Sequence, residues 1–110
     1  MASVSKQLLS STTAGEARVV GTSRDTIHTV ASSAYDEIWI YATNNGTTRE
    51  TLTIMFGGTS TDTHIVQAID AKSGLTLVVP GLILYNGYTV YAASSTASTI
   101  SLVGYVNRIS

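Results

Sequence analysis

The sequence predicts an all-β domain, an antiparallel β-sandwich of about eight strands with a jelly-roll-like plan, and three observations lead there. Short apolar and β-branched runs recur along the chain, broken by Gly, Asn, Asp and Ser at roughly the 8–12-residue spacing of a sandwich or barrel. Several runs alternate with a period of two, as strands do when one face is buried. No segment combines a helix cap with an apolar stripe at helical spacing; residues 5–9 and 66–71 come nearest.

Taken in order, Val4 to Ser11 reads as a weak strand, followed by Ala17 to Gly21 and Asp25 to Val30. The clearest is Asp36 to Thr43, where Ile38, Ile40 and Ala42 face one way and Glu37, Trp39 and Tyr41 the other. It runs into Asn44-Asn45-Gly46, and Asn-Gly favours a type I′ hairpin into Arg49 to Phe56, with Leu52, Ile54 and Phe56 on one face. After a Gly57-Gly58 loop, Thr63 to Ile69 is a strand with Ile65 opposed to Val66 and Ala68, and Asp70 to Gly74 is a turn. Leu75, Leu77 and Val79 alternate up to Pro80-Gly81, where the proline, lacking an N–H, is expected to stop the ladder. Leu82 to Tyr85, a tight Asn86-Gly87 reversal and Tyr88 to Ala93 follow, and Thr99 to Ile109 closes the chain with Ile100 and Leu102 opposed to Ser101, Val103 and Tyr105. Residues 1–13 are expected as a flexible N-terminal arm and residues 14–110 as a single β-sandwich domain.

Composition narrows the function classes. Charged residues make up 12% of the 110, about half the usual share, and 14 Ser and 17 Thr stand in their place, a surface suited to lasting contact with other proteins and also to an ordinary Thr-rich sheet. The four Arg and two Lys are scattered and net charge is −1, so no basic stripe exists to neutralise phosphates and direct nucleic-acid binding is not expected. There is no cysteine, which removes disulfides, thiolate metal sites and cysteine catalysis. The first residues lack the apolar run of a signal peptide and no stretch reaches the ~18 apolar residues of a membrane span, so the expectation is a soluble, unsecreted chain without membrane contact.

No motif carries chemistry. His28 and His64 each fall inside a predicted strand without a ligand set around them, and both read as partly exposed strand histidines; Asp62 and His64 supply at most two ligands where zinc usually takes three or four protein or solvent partners. Asp36 and Glu37 are adjacent and so project to opposite faces, not toward one substrate. There is no G-x-S-x-G elbow, and Gly57-Gly58 lacks the Lys-Ser/Thr ending and following helix of a phosphate loop. Asn45-Gly46-Thr47 matches a glycosylation sequon and reads as a turn followed by Thr. The expectation is no enzyme, no cofactor, and no catalytic or metal-binding residue. Trp39 and Tyr41 on one strand face, with Tyr85, Tyr88, Tyr91 and Tyr105 later, supply aromatic surface for a core, a subunit interface or a glycan platform. The candidate interface residues are Trp39, Tyr41, Tyr88 and Tyr91.

Two stretches, DTIHTVASSAYDEIWIYATNNGTTRETLTIMFGG and LTLVVPGLILYNGYTVYAASSTASTISLVGYVNRI, together resemble small β-sandwich virion structural proteins of tailed bacteriophages, over about residues 25 to 109. The likeness lies in the order of parts: a hydrophobic strand ending in an Asn-rich turn, a Thr-rich strand, a variable middle, Leu-alternating strands around a Gly turn, a small-residue step at Ala92-Ala93-Ser94-Ser95 and a closing strand. It departs from that pattern at Ala31 to Ala34. The resemblance implies a capsid decoration or cement protein on the outside of the shell, made in the bacterial host cytoplasm, partnered by the major capsid protein and by itself, as a homo-oligomer such as a trimer. A neck, tail or fibre-adaptor protein and a carbohydrate-binding module are the alternatives.

Overall fold

The strands pair as one long ribbon folded over on itself. In the computed structural model, which describes residues 3–110, the elements are β1 (Val4–Leu8), β2 (Arg18–Val19), β3 (Asp25–Thr29), β4 (Tyr35–Asn44), β5 (Glu50–Phe56), a 3-10 turn (Thr61–Thr63), β6 (His64–Ile69), β7 (Thr76–Tyr85), β8 (Thr89–Ser94) and β9 (Ile100–Ile109). β5 pairs with β6 around the Gly57–Thr63 loop, β4 with β7, β3 with β8 and β1 with β9, each antiparallel pair lying outside the last. Cross-links between β4 and β9 and between β5 and β8 gather the pairs into two sheets. Sheet A has the order β1-β9-β4-β7, with β2 also on β9, and sheet B the order β3-β8-β5-β6. Nested pairs split over two packed sheets are a jelly roll, the expected plan.

The core between the sheets is apolar: Ile38, Ile40, Ala42, Leu102 and Val106 from sheet A meet Ile27, Leu52, Ile54, Val90 and Ala92 from sheet B. The alternation predicted for β4 holds, since its inward residues Asp36, Ile38, Ile40, Ala42 and Asn44 are all buried. That face is polar at both ends. Asn44 donates through Nδ2 to the carbonyls of Thr48 and Ile69 and accepts the Gly46 N–H on Oδ1.

Three expectations are corrected. The Asn44-Asn45-Gly46 hairpin does not form: β4 and β5 lie in different sheets and neither Asn45 nor Gly46 has positive φ. The tight reversal at Asn86-Gly87 does form, with positive φ of 45° and 79° and the Tyr88 N–H bonded to the Tyr85 carbonyl, and it carries the chain from sheet A to sheet B. Pro80 does not end a strand. β7 is an edge strand that pairs only with β4, and it passes the proline by a bulge in which Ile38 faces Leu82, Trp39 faces Pro80, and Gly81 is the extra residue. Finally, the arm expected over residues 1–13 is part of the domain where described: Val4 to Leu8 pair with Tyr105 to Ile109, Leu9 is buried, and the Ser11 N–H bonds the Ile27 carbonyl.

Candidate functional site

Two features stand out, one buried and one on the surface. The buried one is built on β4–β9 register, which sets Asp36 opposite Arg108. Arg108 donates from Nε to Asp36 Oδ1 (2.8 Å) and from Nη2 to Oδ2 (3.0 Å), the two-pronged geometry that favours arginine. From sheet B, His28 Nε2 meets Asp36 Oδ2 at 2.6 Å, and both side chains are fully buried. The Ser10 backbone N–H donates to His28 Nδ1 (3.0 Å), so the ring hydrogen sits on Nε2 and is donated to the carboxylate. The expectation of a partly exposed His28 is corrected: it ties the β1–β2 connection, β3, β4 and β9 together. Each ring nitrogen is engaged, leaving none for a substrate.

This cluster gives the fold a signed response to acid. Burial pushes the His28 pKa below the usual 6.5, outweighing the nearby carboxylate, and the Arg108 charge lowers it further; a second ring proton would also point Nδ1–H at the Ser10 N–H. Burial alone raises Asp36, but hydrogen bonds from Arg108 and His28 and their charges hold it below 3.8. An unfolded chain therefore binds a proton at His28 below pH 6.5 that the folded chain refuses, and another at Asp36 below pH 3.8. Stability is expected to fall as pH drops below about 6.5, and to fall again below about 3.8. Melting temperatures followed across that range should show the first limb flattened in His28→Asn; an unchanged first limb in that variant would show that another group causes it.

The surface feature is the outer face of sheet A. Reading across the strands by register, Leu8, Tyr105, Trp39 and Pro80 form one row, with Val103, Tyr41 and Leu77 above it. Below lie Lys6, Asn107, Glu37 and Ile83, and then Val4, Ile109, Tyr35 and Tyr85. Val4 is 70% and Ile83 54% exposed, and Leu8, Tyr35, Leu77 and Tyr85 are also open to solvent. Tyr35 and Tyr85 pack together (ring centroids 4.5 Å), and Trp39 and Tyr105 lie nearly parallel at 13°. Apolar rows on either side of the polar row of Lys6, Asn107 and Glu37 thus leave several large apolar side chains open to solvent on one face. The outer face of sheet B is different, with Thr26, Thr51, Thr53 and Thr89 around Tyr91, over which Arg24 sits at 5.2 Å.

The bulge at Gly81 shapes the aromatic face. Gly81 has φ +76°, and a Cβ there would come within 2.7 Å of the Trp39 indole, whose six-membered ring therefore lies against the β7 backbone. The Trp39 Nε1–H and the Asn107 amide both donate to Glu37 Oε1 (2.9 Å each), fixing the ring edge. Gly81→Ala is expected to lift the indole into solvent and to cost about 1–2 kcal/mol from the left-handed backbone alone. A red-shifted tryptophan emission with a modest loss in unfolding midpoint is the expected readout.

Of the four predicted interface residues, the fold brings two together. Trp39 and Tyr41 share the outer face of sheet A, Tyr91 lies on the outer face of sheet B, and Tyr88 sits in the turn at one end, so Tyr88 and Tyr91 do not form a platform with the other two. The alternation of β4 already sets Glu37 beside Trp39 and Tyr41, whereas Tyr35 joins this face only because β4 begins one residue before the predicted strand, and Lys6 only through the β1–β9 pairing. Among the described residues there is no pocket and no cluster of three metal-ligating side chains, and no helix is long and apolar enough to cross a membrane. No family model and no curated protein matches the sequence. Among solved structures the chain is similar to one from work described as "Bacillus endospore appendages form a novel family of disulfide-linked pili", with 13% identity, 98% of this chain and 85% of that chain covered, and a TM-score of 0.49.

Proposed function

We propose that this protein is a structural subunit without catalytic activity, and specifically a capsid decoration protein of a tailed bacteriophage that self-associates and binds the major capsid protein on the outside of the shell. The observation that carries the assembly part is the apolar, aromatic outer face of sheet A on a domain without a cavity among its described residues. Buried aromatic and aliphatic groups supply the energy of such contacts, and the hydroxyls of Ser and Thr satisfy the rim. The virion part rests on the sequence resemblance, and the jelly roll is compatible with it. Quantitative mass spectrometry of particles purified from the phage that encodes this sequence tests it. A copy number on the scale of the major capsid protein supports decoration, a few copies per particle moves the site to the neck or tail, and absence from the particle refutes the virion role.

A further inference from the structure

We propose that the outer face of sheet A closes on a second copy of the same chain, about a two-fold axis running along β9. This rests on reading that face as a contact surface and not on the virion role. Strand register places the charges of this face for it. Among the described residues of this face only Lys6 and Glu37 carry charge, and neither is in an ion pair. Both stand opposite Asn107 of β9, Lys6 from β1 on one side and Glu37 from β4 on the other. Lys6 extends over the Tyr105 ring (4.9 Å), and Glu37 uses Oε1 for Trp39 and Asn107, leaving Oε2 free.

A two-fold axis in the plane of contact and parallel to β9 exchanges the strands on its two sides. It sets each Lys6 against Glu37 of the second copy, which is the self-complementarity an isologous interface requires. The same operation places Trp39 against Leu8 of the second copy and Tyr35 against its Val4, while Tyr105 and Asn107 each meet their own counterparts near the axis. Apolar rows thus meet apolar rows on both sides of the charged one. A trimer offers no such pairing, because a three-fold axis does not return a face onto itself.

The test is the mass of the full chain by sedimentation equilibrium at low salt, for the wild type, Lys6→Glu, Glu37→Lys and the double reversal. The wild type is expected at twice the 11.6 kDa chain mass. Each single reversal turns two attractive pairs into two repulsive ones and should raise the dimer dissociation constant at least about tenfold. The double reversal restores both pairs but still lacks the Glu37 acceptor for the Trp39 Nε1–H and the Asn107 amide, so it should bind more tightly than either single reversal without fully regaining wild-type affinity. Thr53→Lys, on the outer face of sheet B, should leave the dimer unchanged, and circular dichroism confirms that each variant is folded. A double reversal as weak as the singles, a dimer lost in Thr53→Lys, a trimer mass or a wild-type monomer at every concentration would overturn the proposal. A monomer whose sheet A face is nonetheless covered on its native particle would overturn the second copy alone and leave the contact surface standing.

Discussion

Asp36→Ala is expected to destabilise the domain by about 3–5 kcal/mol, the cost of removing one member of a buried charged pair. The carboxylate is fully buried and takes three hydrogen bonds, two from Arg108 and one from His28. Without it, the guanidinium loses its partner at a site only 24% exposed, and the His28 Nε2–H loses its acceptor in the core. A domain of this size has about 5–15 kcal/mol in total, so the variant should be close to unfolding under mild conditions. Asp36→Asn separates the contributions: it keeps the size and one acceptor oxygen but loses the charge, and should fall between wild type and alanine. Denaturant titration measures both. A loss below about 1 kcal/mol for the alanine variant would show that water reaches Arg108 easily and that the cluster is not what ties β3 to β4 and β9.

Gly104→Ala is expected to cost about 3 kcal/mol, at the upper end for forcing extra volume into a packed interior. Gly104 stands opposite Ile40 in the β4–β9 ladder, and a Cβ there would lie 2.0 Å from the Trp39 carbonyl oxygen and 3.1 Å from the Ile40 Cα. Both obstacles are backbone, so no side-chain rotation relieves them and the two strands must separate. The same two strands set Asp36 against Arg108 and Trp39 beside Tyr105. The change should therefore weaken the acid-sensitive cluster and disturb the aromatic face together, visible as a lower melting temperature with altered tryptophan emission. A stable variant with wild-type emission would contradict the tight β4–β9 approach.

Local pattern was legible where it depends on one strand at a time. The alternation of Glu37, Trp39 and Tyr41 against Ile38, Ile40 and Ala42 follows from the pleat and appears unchanged in β4. What was not legible is which strands pair. The Asn-Gly signal led to a hairpin at Asn44-Asn45-Gly46, but in nested pairing only β5 and β6 are both consecutive and paired, and every other connection crosses between the sheets except β1 to β2, which both lie on β9. The Asn86-Gly87 turn has the backbone its residues prefer and still joins different sheets, because turn chemistry fixes a local reversal and not the partner of the strand that follows.

The candidate site divides along the same line. Trp39 and Tyr41 were legible as a pair, but adding Tyr88 and Tyr91 required knowing that β8 belongs to sheet B. The His28–Asp36–Arg108 cluster spans 80 positions of the chain, and no short-range spacing announces it. Within the chain, its histidine and acid are eight residues apart on strands of different sheets. Only the folded ribbon brings them to one point.

Whether the outer face of sheet A is the surface this protein uses in assembly is read most directly by hydroxyl-radical footprinting of the dilute chain against the assembled one. Tyr35, Trp39, Tyr85 and Tyr105 are expected to be protected on assembly, with Met55 and Tyr91 on the outer face of sheet B reacting as before. Unchanged reactivity at the four sheet A aromatics, with protection at Met55 and Tyr91, would contradict it.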